Sequence, residues 1–134
     1  MKLILAFVVV IVMVACQKEN TIIVNSTNLI GEWNWISSTG GIGGFKYTPS
    51  STSVQRKITF ASDSVFRLYQ NDSLKTESKY HVSMMLASNG LDTIKVVKYD
   101  GSSIRQYFEI QSDGTMVLSD ECMDCYIHEY KRIR

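Results

Sequence analysis

The chain has 134 residues, with 14 Lys and Arg against 13 Asp and Glu and a formal net charge of +1. That length holds one domain, and the balanced charge lacks the clustered cation excess on which nucleic-acid binding rests. A content of 45% hydrophobic and 20% charged residues excludes a disordered chain.

At the amino end, Lys2 precedes an unbroken apolar run of 13 residues, Leu3 to Ala15. A helix needs about 20 residues to cross a bilayer core, so the run has the length of a secretory signal rather than of a membrane span. It ends in Met13-Val14-Ala15-Cys16. This resembles the lipobox of bacterial lipoproteins, in which the cysteine is lipidated and becomes the new amino terminus. The resemblance implies a signal peptide over residues 1–15. It also implies a lipid thioether and an acylated amine on Cys16, a membrane anchor in which each buried methylene contributes about 0.8 kcal/mol. The competing reading is an ordinary secretory signal that happens to end at a cysteine. Removing residues 1–15 takes Lys2 away and leaves 13 basic residues against 13 acidic ones. No Asp sits next to Cys16, so the start resembles lipoproteins of the outer membrane, and the charges in Gln17-Lys18-Glu19-Asn20 also resemble a surface-export tag. Residues 16–28 read as the lipidated cysteine and a solvated tether, with an apolar patch at Ile22-Ile23-Val24 that could pair as a short strand.

From residue 29 to 134 the dominant period is two, the period of half-buried strands. Leu29 to Ile36 alternates with Trp33 and Trp35 on one face. Ser37 to Ser53 is a longer gap, with Gly40-Gly41-Ile42-Gly43-Gly44 as a mobile lid or loop and Pro49 among Ser and Thr. Ser53 to Phe60 sets Val54, Ile58 and Phe60 on the apolar face, with Arg56 as the exception. Ser64 to Gln70 pairs Phe66 with Leu68. Leu74 to Val82 sets Leu74, Tyr80 and Val82 opposite Lys75, Glu77, Lys79 and His81. Met84 to Ser88 is compatible with one helical turn. Asp92 to Lys98 carries Ile94 and Val96, and Ile104 to Ile110 carries Phe108 opposite Tyr107. Thr115 to Asp120 carries either Met116 and Leu118 or Val117 inward, and Tyr126 to Ile133 closes the chain. Asn71-Asp72, Asn89-Gly90, Asp100-Gly101 and Asp113-Gly114 punctuate these runs with residues that tolerate positive φ. Short turns between consecutive strands make antiparallel neighbours. The expected fold is therefore all-β: a short up-and-down meander of about eight strands, closed as a barrel to remove its edges. Eight strands enclose room for side chains or one small ligand.

Gly31-Glu32-Trp33 on the first strand resembles the Gly-x-Trp signature of lipocalins, and Tyr130-Lys131-Arg132-Ile133 resembles the basic closing strand of that family. Leu118 to Cys122 followed by His128 to Arg132 is similar to the ending of small lipocalin-like bacterial lipoproteins. The resemblance implies a lipocalin-like barrel in which Arg132 packs over Trp33. Independently of it, Gly31 lets the chain pass close under a neighbour, and an Arg on a Trp face contributes about 0.5–2 kcal/mol to barrel closure.

Cys122-Met123-Asp124-Cys125 holds the two thiols left once Cys16 is lipidated. A disulfide is the first reading, in an oxidising compartment. Redox catalysis would ask for a helix N-terminus. A metal site would add His128, and structural zinc usually takes four well-spaced ligands. The expectation is a disulfide with no metal or cofactor. No nucleophile elbow or phosphate loop appears, so the expectation is not an enzyme. Arg56, Thr76, Ser78 and Gln106 fall on the inward face, and Trp35, Arg56, Tyr80, Gln106 and Phe108 form the expected pocket for a small apolar or amphipathic ligand. The alternative is a protein-interaction module: an accessory subunit, or an inhibitor of an envelope-targeting hydrolase, acting through its loops.

Overall fold

The computed structural model describes residues 28–87 and 89–133. The expected signal segment, Cys16 and the expected tether up to residue 27 lie outside the described residues. The strands are β1 (Gly31–Gly40), β2 (Phe45–Tyr47), β3 (Arg56–Phe60), β4 (Val65–Gln70), β5 (Ser73–Leu86), β6 (Thr93–Tyr99), β7 (Arg105–Ile110), β8 (Thr115–Asp120) and β9 (Tyr126–Arg132). One helical turn, α1 (Pro49–Thr52), is capped by Thr48, whose Oγ1 accepts from the Ser51 amide at 3.2 Å.

Eight strands form a closed antiparallel barrel in the order β1-β3-β4-β5-β6-β7-β8-β9, with β9 returning to β1. The expected up-and-down meander is therefore the observed topology. The ninth strand, β2, comes from the Gly- and Pro-containing gap. It folds back on the far half of β1, pairing Ser38 with Tyr47 and Gly40 with Phe45. The glycine run is thus the turn of a hairpin, and β1 continues to Gly40 instead of ending near Ile36. The segment Met84–Leu86, compatible with helix in the sequence, extends β5 and pairs with β6 from Lys95 back to Thr93. Ladder hydrogen bonds decide between the two conformations there.

The inward faces build a core of Leu29, Trp33, Ile58, Phe60, Tyr80, Val97, Met116 and Leu118, with Phe66, Leu68 and Tyr99 packed against it. Two bulges adjust the alternation. One lies between Trp35 and Ser37 on β1, opposite β9. Past it the inward parity changes, so that Ser38, not Ser37, shares the interior with Trp35. Ser37 instead donates to Glu129 Oε2 at 2.7 Å. The second bulge lies on β5, where Lys75 is the extra residue between the pairs Leu68–Thr76 and Tyr69–Leu74. Leu74, expected to share the face of Tyr80, sits past that bulge in the β4–β5 hairpin and is 51% exposed. A bulge carries one extra residue and re-aims the side chains beyond it.

The two barrel ends differ. At the end where β1 starts and β9 finishes, Gly31 adopts φ 146°, a region open to glycine and strained for other residues. Trp33 is fully buried there, and its Nε1 donates to the Leu29 carbonyl at 3.0 Å. The Arg132 guanidinium stacks on the Trp33 ring, 4.1 Å from its centroid. It donates to the carbonyls of Ile30, at 2.9 Å, and of Asn28. This end is a plug. The opposite end carries the β1–β2 hairpin, α1, the Asn71-Asp72 turn, the β6–β7 loop and the Cys122–Cys125 loop.

Candidate functional site

The open end leads into a cavity of about 550 Å³ inside the barrel. Its lining comes from positions on β3 to β9 and from the β6–β7 loop. Ile58, Phe66, Leu68, Ile104 and Leu118 make apolar walls, and Arg56, Thr76, Ser78, Gln106, Asp120 and His128 add polar groups. A cavity of this size with apolar walls and a few placed polar groups has the character of a small-molecule site. A smaller space of about 320 Å³ adjoins it under the β1–β2 hairpin, bordered by Trp35, Ser38, Tyr47, Arg56, Tyr126 and His128. Arg56 and His128 border both.

A continuous chain of hydrogen bonds crosses the interior. Trp35 Nε1 donates to Ser38 Oγ at 2.8 Å, and Ser38 Oγ lies 2.6 Å from His128 Nδ1. With the serine hydroxyl donating to Nδ1, the other ring nitrogen carries its proton toward Asp120 Oδ2, at 3.5 Å. From the other side Tyr99 Oη donates to Gln106 Oε1 at 2.7 Å, and Gln106 Nε2 donates to Asp120 Oδ1 at 2.7 Å. Both arms run into the Asp120 carboxylate. Burial on its own pushes the Asp120 carboxyl up, but the donors on His128, Gln106 and the Tyr126 amide outweigh it and hold the group below the usual carboxylate range. The adjacent Tyr99 and Tyr130 phenols go the other way. Burial raises both, Tyr130 to about 12, with the Asp120 charge adding to the rise. Both stay neutral, and Tyr99 acts as the donor to Gln106.

Arg56 differs from its charged neighbours on the lining. Glu77 is paired with Arg67 at 2.6 Å, Asp100 with His81 at 2.9 Å and Asp120 with His128. Among the described residues no carboxylate pairs with Arg56. Its guanidinium lies over the Trp35 ring, 4.7 Å from the centroid. The Ser78 hydroxyl oxygen is buried and has no hydrogen-bond partner among the described residues.

The five residues expected to form the pocket thus separate. Arg56 and Gln106 line the large cavity, and Trp35 borders the small one beside Arg56. Tyr80 belongs to the core: it meets Phe60 edge-on at 5.1 Å and donates to the Ala61 carbonyl at 2.9 Å. Phe108 is buried in the core and also borders a separate depression with Ile94 and Lys95. Cys122 and Cys125 are joined by a disulfide, with Cα atoms 5.5 Å apart. His128 is directed at Ser38 and Asp120. Among the described residues no cluster of three or more His, Cys, Asp or Glu side chains could hold a metal. Asp120 and Glu121, adjacent in sequence, face apart. Asp120 joins the interior network, whereas Glu121 accepts from Tyr107 Oη at 2.6 Å and from Arg105 on the outer surface.

Ser38 and Tyr99 were not legible as site residues. Tyr99 lies one residue past the expected end of its strand, and Ser38 reaches the interior only through the β1 bulge. In comparisons with known proteins, no family model matches the chain, and no curated protein or solved structure matches it.

Proposed function

We propose that this protein is a lipid-anchored envelope lipoprotein whose barrel binds a small apolar or amphipathic molecule without chemical turnover. The observation that carries the binding reading is the 550 Å³ cavity, open at one end and plugged at the other, with apolar walls and a polar lining. The lipobox-like Cys16 and the Gly31, Trp33 and Arg132 pattern support a lipocalin-like lipoprotein of the outer membrane. Asn28, the first described residue, lies at the plugged end, opposite the mouth. The serine, histidine and aspartate of the interior network are residue types used in acyl transfer. Ser38 is 3% exposed, however, and its oxygen already accepts from the Trp35 indole. That placement supports a structural role.

The test is native mass spectrometry of the full-length protein purified from a bacterial envelope, with an uncharged solvatochromic dye as a second probe. A co-purified mass of a few hundred daltons, or saturable one-to-one dye binding displaced by small amphiphiles, is the expected result. A bare mass together with no dye binding overturns the ligand reading. Lipidation is read in the same spectra: an unmodified Cys16, or cleavage elsewhere, overturns the anchor.

A second reading, a protein-interaction module, draws on one surface. Ile42, Phe45 and Met123 are 95%, 63% and 94% exposed at the mouth end of the barrel. Co-purification with an envelope protein that is lost on Ile42→Asp and Met123→Asp would favour it.

A further inference from the structure

Two arginines in this barrel lie on tryptophan faces, and their guanidinium donors have different fates. Arg132, over Trp33, directs its donors at the carbonyls of Ile30 and Asn28 and closes the plugged end. Arg56, over Trp35, is held in the same manner at the other end. Among the described residues it has no ion-pair or hydrogen-bond partner. It is half-buried, at the junction of the two interior spaces. The carboxylates that border the large cavity are not free to neutralise it. Glu77 is paired with Arg67, Asp100 with His81, and Asp120 is bound by Gln106 and His128. A partly desolvated cation without a counter-charge is costly. A guanidinium fixed on an aromatic face presents a planar fork of donors suited to a carboxylate or phosphate. The wall beyond it is apolar: Ile58, Phe66, Leu68 and Leu118. The Ser78 hydroxyl, buried and without a partner, lies on the same lining.

We infer that the ligand is an anionic amphiphile, whose carboxylate or phosphate group is bound by the Arg56 fork while its hydrocarbon part lies along the Ile58, Phe66 and Leu68 wall. This rests on the proposed binding function and specifies its ligand class. Trp35 acts as a positioning residue that holds the guanidinium.

The experiment titrates the purified full-length protein separately with octanoate, octyl phosphate, octanol and octylamine, scored by native mass spectrometry and by tryptophan fluorescence, to which Trp35 beside the cavity and Trp33 in the plug both contribute. The expected result is that one or both anions bind at least tenfold more tightly than octanol, and that octylamine is weakest. Whichever anion binds more tightly identifies the head group as carboxylate or phosphate. In Arg56→Met the anion affinity should fall roughly ten- to a hundredfold, the loss of a charge-assisted hydrogen-bonded pair, so that the preference of the anions over octanol disappears. Arg56→Lys should recover only part, because it keeps the charge and loses the fork. An unchanged circular dichroism spectrum with cooperative unfolding in the variants shows that the barrel is intact. Equal binding of octanoate, octyl phosphate and octanol, or anion binding insensitive to Arg56→Met, overturns this inference and leaves the binding function standing. Failure of all four compounds to bind overturns the binding function itself.

Discussion

Replacing Arg132 by Met tests how much of the barrel's stability resides in its plugged end. The methionine keeps an unbranched apolar stem over the Trp33 ring and removes the guanidinium. Three interactions go. The stack on Trp33, with the guanidinium 4.1 Å from the ring centroid, contributes about 0.5–2 kcal/mol. The donors to the Ile30 and Asn28 carbonyls would contribute about 1.5–3 kcal/mol each if fully buried. Arg132 is only half-buried and water can replace part of that bonding, so about 2–4 kcal/mol is expected in total. For a domain of this size each kcal/mol shifts Tm by about 4–8 °C. The variant should therefore melt about 10–25 °C lower while folding to the same barrel. The assay is equilibrium urea unfolding with Trp fluorescence, with circular dichroism as a second probe of two-state behaviour. Arg132→Lys should fall between the two, since an ammonium keeps the charge and reaches one carbonyl. A loss below about 0.5 kcal/mol for Arg132→Met, the range of an ordinary surface change, would refute the reasoning.

Three other outcomes rest on the same geometry. Gly40→Ala would place a Cβ on the Cys125 carbonyl oxygen and 2.8 Å from Tyr126 Cα. Backbone cannot rotate away as a side chain can, so a loss of about 1–3 kcal/mol is expected, and an unchanged urea midpoint would count against the close β1–β9 approach. Tyr130 is raised from 10.0 to about 12 by burial, with Asp120 adding to the rise against Arg56. The folded value lies above the unfolded one, so about 3 kcal/mol of stability is complete below pH 10 and is lost as pH rises toward 12. Tyr130→Phe should flatten that part of the alkaline profile, and an identical profile in the variant would refute the assignment. The Cys122–Cys125 bond closes a very short loop, so reduction or the double Ser variant should cost about 2 kcal/mol by chain entropy. A loss of cooperative unfolding after reduction would show that the bond holds more than its own turn.

The barrel was legible because alternation and turn residues are local properties. Trp33, Ile58 and Phe60 fall on inward positions by period two alone, and closure stems from the need to satisfy sheet edges. The inward placement of Arg56, Thr76, Ser78 and Gln106 was readable in the same manner. The sequence determined a polar-lined interior, the disulfide-forming pair Cys122 and Cys125, and which residues alternate. Tertiary structure decided what those residues do. The β1 bulge changes the parity after Trp35 and brings Ser38, not Ser37, against His128. Position along the strands sends Tyr80 and Phe108 into the core and keeps Arg56 and Gln106, at the mouth-end starts of β3 and β7, at the cavity. Partnering separates the two arginines. Arg132 meets backbone carbonyls from the other end of the chain, whereas Arg56 faces carboxylates already bound to other donors. Such pairings join residues far apart in sequence, and they exist only once register and closure have set the distances.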